Sequence, residues 1–159
     1  MADRTKAFRV RTLTRWAMYR WALLAAAGLL TCVIPSLAAH TVALAIKGYD
    51  PVAYFTDGKP TLGSPEIEYD WDEYRFRFVS VDHRELFKAD PVRYAPQFAN
   101  FCAMALSRGK VVEADPRYWL ISEGRLYIFG EPSGPRLFRE DLARHAAAAN
   151  KNRPLLPKR

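Results

Sequence analysis

From Ile67 to Trp71 and again from Tyr74 to Phe78 the chain alternates strictly. Acids separate Ile67, Tyr69 and Trp71, and Arg75 and Arg77 separate Tyr74, Phe76 and Phe78. Side chains of a strand point to opposite faces in turn, so this period of two gathers the apolar residues on one face and the charges on the other. Asp72-Glu73 lies where the pattern reverses, which predicts two antiparallel strands meeting at a tight turn. A hairpin with one aromatic face must bury it against something else.

The rest of the sequence supplies the cover. Tyr118 to Ile121 and Leu126 to Phe129 predict a second hairpin around Glu123-Gly124, after a turn at Asp115-Pro116. Val42 to Lys47 opens the domain and Asp50-Pro51 marks a turn. Val52 to Phe55 reads as a short strand closed by Asp57-Gly58. Ser80 is placed to cap a helix over Val81 to Ala89, and Asp90-Pro91 starts a short turn to Tyr94. Beyond Pro96 a third helix is expected from Gln97 to Ser107, stopped by Gly109. On it Phe98, Phe101, Cys102 and Ala105 fall at i, i+3, i+4 and i+7, which turns Cys102 inward. After a loop from Gly130 to Pro135, Leu137 to Ala149 predicts a closing helix. Residues 151–159, with two prolines and four basic residues, read as a disordered tail. The expected fold is α+β: two small antiparallel β-hairpins packed with three to four short helices in a single domain spanning 39–150.

The charge of +7 over 159 residues would ordinarily suggest nucleic acid as a partner. It is concentrated in the leader. Residues 1–20 carry Arg4, Lys6, Arg9, Arg11, Arg15 and Arg20 against Asp3 alone, and Trp21 to Ile34 is an uncharged apolar run. Pro35 ends that run, and Ser36-Leu37-Ala38 offers small residues at the positions a signal peptidase reads. Residues 1–38 are therefore expected to be a signal peptide, which leaves 18 basic and 16 acidic residues, about +2, and removes the case for nucleic acid. The alternative is an uncleaved inner-membrane anchor over residues 21–46, the only membrane contact expected. Either way the domain belongs in the periplasm or outside the cell.

Export changes the meaning of the cysteines. With Cys32 in the leader, Cys102 has no intramolecular partner, so it is buried, metal-bound, reactive or paired between chains. Zinc or copper requires three or four ligands, with thiolate and imidazole preferred. The chain after residue 38 offers Cys102, His40, His83 and His145, of which Cys102 and His83 are the candidate metal pair and Asp82, Asp90 and Asp115 could add oxygen. A cut after Ala39 would instead leave His40 as a copper-chelating amino terminus. A reactive cysteine needs a nearby cation or a helix amino terminus, whereas the spacing places Cys102 on an apolar face. No Ser-His-Asp elbow, phosphate loop, Cys-x-x-Cys or zincin motif occurs, and the chain is read as non-enzymatic.

Several motifs in fixed order carry a resemblance. Gly48-Tyr49-Asp50-Pro51-Val52-Ala53-Tyr54-Phe55 comes first, then the aromatic hairpin, Phe87-Lys88-Ala89-Asp90-Pro91 and Tyr94-Ala95-Pro96-Gln97-Phe98. Phe101-Cys102-Ala103, Asp115-Pro116, Trp119 and Gly124-Arg125-Leu126-Tyr127 follow. From about Lys47 to Phe129 the chain resembles the long exported YHS-domain proteins, similar in turn to small metal-associated modules of the TRASH type. The resemblance implies a domain of unassigned activity. Val79 stands where the short metal-associated modules have a cysteine, leaving His83 as the remaining candidate ligand there. Ala99-Asn100 stands where the long forms usually have two glycines, which implies a backbone less able to approach a ligand closely.

The functional expectation is a non-catalytic module binding a small ligand or a periplasmic protein. Tyr49, Asp50, Tyr54 and Cys102 are the expected ligand-binding residues, and a metal-handling protein using Cys102 and His83 is the alternative. On this reading Asp50→Ala would abolish ligand retention without unfolding the domain.

Overall fold

The computed structural model describes residues 42–157. The expected signal peptide and its expected cleavage site, with Cys32 and His40, lie outside them. Strands are β1 (Ala43–Leu44), β2 (Ser64–Trp71), β3 (Tyr74–Phe78), β4 (Asp115–Ser122) and β5 (Arg125–Phe129). Helices are α1 (Ala53–Thr56), α2 (Val81–Ala89), α3 (Pro91–Tyr94), α4 (Ala103–Ser107), α5 (Gly134–Glu140) and α6 (Leu142–Asn152). The α+β class and both hairpins match the sequence reading.

In the first hairpin Trp71 faces Tyr74 and Tyr69 faces Phe76, with Asp72 at φ 55 in the turn. Arg75 pairs with Asp70 at 2.7 Å and Arg77 with Glu68 at 2.9 Å on its polar face. The two-residue β1 adds a parallel edge beside β3, giving the order β1-β3-β2. Against the aromatic face α2 inserts Phe87, whose ring lies 4.6–6.3 Å from those of Tyr69, Trp71, Phe76 and Phe78. Burying a ring of this size is worth roughly 2–3 kcal/mol. Ser80 caps α2 as expected, its hydroxyl accepting from the His83 amide.

The second hairpin turns through Glu123 and Gly124 at φ 51 and 68, the mirror-image turn that suits strand twist. Asp115-Pro116 belongs to β4, whose pairing shifts register between Asp115 and Trp119. A second core forms where Leu120, Tyr127 and Phe129 meet Leu106 of α4 and Phe138 of α5. A Cβ on Gly134 would fall 2.6 Å from the Phe129 Cβ, so only glycine lets α5 start that close to β5.

Four expectations are corrected. Val52 to Phe55 is not a strand: the Asp50 side chain accepts from the Val52 and Ala53 amides and starts α1 instead. The helix expected over Gln97 to Ser107 exists only from Ala103. Before it the Gln97 amide donates to the Leu126 carbonyl of β5 and Ala99 adopts φ 48, both incompatible with a helix. The closing helix is two, broken at Asp141, whose carboxylate caps α6 through the Arg144 amide. The described part of the expected tail is also structured: Lys151 and Asn152 complete α6, and Arg153–Leu155 form a 3-10 turn. Asn152 anchors this end by donating to the Leu106 carbonyl at 2.9 Å.

Candidate functional site

Asp50 is fully buried, with 0% of its surface exposed. Its Oδ1 accepts from the amides of Val52 at 2.8 Å and Ala53 at 3.3 Å, and its Oδ2 from the amide of Val79 at 2.8 Å. The fourth partner is His83, whose Nδ1 lies 2.7 Å from Oδ2. A carboxylate only accepts, so this imidazole carries a proton on Nδ1. His83 Nε2 lies 3.3 Å from the Thr56 hydroxyl. A carboxylate has about four acceptor positions, and here four donors take them. Asp50 is thus the clamp joining α1, the end of β3 and α2, with its acceptor positions filled from within the protein.

Tyr54, also buried, donates its hydroxyl to the Pro116 carbonyl at 2.9 Å and packs edge-on against Trp119 at 5.3 Å. Burial, reinforced by the negative charge that Tyr49, Asp115 and Asp50 can carry, holds the phenol well above its usual range, so it stays a neutral donor. It ties α1 to the second hairpin and is likewise a structural contact. Tyr49 is half-buried and bridges to Leu62.

Cys102, 7% exposed, is the N-cap of α4 rather than a residue on its face. Its Sγ accepts from the Ala105 amide at 3.4 Å, and its own amide donates to Val112 O at 2.8 Å. It packs in the second core with Phe98 and Leu106. The candidate metal ligands therefore have separate surroundings: His83 sits on Asp50 and Cys102 in the second core. A carboxylate behind an imidazole is common around metals. Among the described residues, however, no three His, Cys, Asp or Glu side chains form a group that could hold one.

What the sequence reading did not find is a cleft of about 750 Å³ between the tip of the first hairpin, the 95–101 segment and the 150–157 segment. Trp71, Phe76 and Phe101 bring aromatic surface to it, Ile46 and Ala99 form part of its wall, and Arg153 comes from the segment expected to be disordered. Apart from Asp72 in the hairpin turn, two wall residues have a backbone that side-chain-bearing residues seldom adopt: Ile46 at φ 38, ψ 42 and Ala99 at φ 48. For a β-branched isoleucine this is a genuine outlier. Asn100 fixes it, its Oδ1 accepting from the Ile46 amide at 2.6 Å and its Nδ2 donating to the Leu44 carbonyl at 2.9 Å. Ala99 thus keeps the left-handed conformation that a glycine would take, and Asn100 uses its side chain to clamp the neighbouring turn. The only sequence signal for this wall was the replacement of glycines at 99 and 100; nothing marked Ile46 or Arg153.

No helix among the described residues is long and apolar enough to cross a membrane. No family model matches the chain, and neither the curated proteins nor the solved structures contain a match to it.

Proposed function

We propose that this domain is a non-catalytic binding module, exported as its leader implies and of the YHS type that its motifs resemble, and that it holds a small organic molecule in the aromatic cleft. The observation that carries this reading is strain. Outside the hairpin turn, where Asp72 is also left-handed, Ile46 and Ala99 occupy left-handed backbone on the cleft wall, and Asn100 is spent on holding one of them there. Such conformations cost of order 1–3 kcal/mol each and concentrate at ligand clamps. The volume also falls within the few hundred to a thousand Å³ of small-molecule sites. The site moves from the Tyr49–Tyr54 turn to the cleft because the polar groups of Asp50 and Tyr54 are committed inside the protein.

The test is native mass spectrometry of the full chain purified from its own host, beside Val92→Trp and Cys102→Ser. Val92 is 71% exposed on the cleft lining, so tryptophan there obstructs the cleft while sparing the core. An organic adduct present in the parent and absent from Val92→Trp is expected. A stoichiometric metal lost from Cys102→Ser would overturn this reading in favour of metal handling. An adduct unaffected by Val92→Trp would place the site elsewhere.

A further inference from the structure

Resting on the cleft reading, we infer that the ligand is an organic monocarboxylate with an aromatic or branched apolar body, and that Arg153 receives its carboxylate.

Arg153 is the cleft's one cationic residue among those described. It is held on two sides: its Nη2 donates to Asn150 Oδ1 at 3.1 Å, and its guanidinium lies 5.1 Å from the centre of the Phe98 ring. Neither contact neutralises it, and no ion pair to Arg153 occurs among the described residues. A guanidinium has five N–H donors in a rigid fork, and the bond to Asn150 uses one of them. A fixed fork with spare donors matches a carboxylate, which it can engage through two parallel bonds.

The remaining lining sets the rest of the ligand. Trp71, Phe76 and Phe101 offer ring surface, and Ile46 and Leu156 add aliphatic surface, so the body of the molecule is apolar. Asp72 on the same lining opposes a second negative charge, which favours a single carboxylate over a phosphate or dicarboxylate.

Three probes of one shape separate the charge from the body: 1-naphthylacetate, its neutral amide 1-naphthylacetamide, and the cation 1-naphthylmethylammonium. Each is titrated calorimetrically into the full chain, into Arg153→Met, which keeps the packing stem, and into Val92→Trp. In the parent the carboxylate is expected to bind at least tenfold more tightly than the amide. In Arg153→Met that advantage disappears while the amide keeps its affinity within about twofold, the ordinary scatter of a change far from its contacts. Equal binding of carboxylate and amide by the parent, tightest binding of the ammonium, or loss of the amide together with the carboxylate in Arg153→Met would each overturn the assignment to Arg153. The cleft itself would still stand in those cases. Failure of all three probes to bind the parent, or undiminished binding by Val92→Trp, would instead overturn the cleft reading and the inference with it.

Discussion

Two polar side chains organise loops in this domain, and they do it in opposite ways. Asp50 is buried, has four donors around it and holds relaxed backbone: a helix start, a strand end and an imidazole. Asn100 is partly buried, has two bonds and holds backbone at φ 38 beside an open cleft. A carboxylate with every acceptor position filled stabilises the fold and has nothing left for a ligand. A carboxamide spent on keeping a neighbour strained maintains a surface that the chain would not otherwise adopt. The polar residue most deeply embedded in the fold is therefore the clamp, and function is sought where strain is kept.

The contrast is broken most severely by Asp50→Ala. It leaves the buried Val52 and Ala53 amides, the part-buried Val79 amide and the His83 ring without their acceptor. Each donor left unsatisfied costs about 1–3 kcal/mol, so a loss of roughly 3–5 kcal/mol in all is expected, which urea unfolding would show as a lower midpoint at unchanged slope. A loss below about 1 kcal/mol would mean that the carboxylate is dispensable, as the expectation drawn from sequence required. A smaller effect of opposite sign is expected at the cleft wall. Ala99→Gly relieves the left-handed conformation at φ 48, so a gain of about 0.5–1 kcal/mol should accompany it after the greater freedom of glycine in the unfolded chain is subtracted. A destabilised Ala99→Gly would show that the backbone there is not strained.

The smallest effect concerns a pair belonging to neither device. Hydrogen bonds from the Arg117 side chain and amide hold the Asp115 carboxyl down at about 2, against an ordinary 3.8. A depressed carboxyl contributes stability that is present above its unfolded value and lost as pH falls through the folded one. Between pH 4 and 2 the parent should therefore lose stability slightly more steeply than Asp115→Asn, as followed by circular dichroism. Superimposable acid transitions would show that this exposed pair contributes nothing, as is common for surface ion pairs.

Much of the architecture was legible because its signals are local. The alternation from Ile67 to Phe78, the Glu123-Gly124 turn, the Ser80 cap and the Asp90-Pro91 start each depend on residues within a few positions of one another, and each appears where expected. The failures have one cause. Val52 to Phe55 has strand-like composition, but a carboxylate two residues upstream redirects it once Val79 and His83, about thirty residues away, have fixed that carboxylate. Cys102 has helical spacing to Phe98 and Phe101, but β5 takes the Gln97 amide first.

The sequence by itself therefore determined the two hairpins, the α+β class, the Ser80 and Asp90 caps and the lack of any cysteine besides Cys32 with which Cys102 could pair within the chain. Only the tertiary structure decided that Asp50 and His83 are partners, that Tyr54 spends its hydroxyl on Pro116, and that the presumed tail brings Arg153 to a cleft walled by Ile46 and Ala99. Caps, turns and alternation are written in neighbouring residues, whereas the partner of a buried polar group and the wall of a cleft come from segments that meet only when the chain has folded.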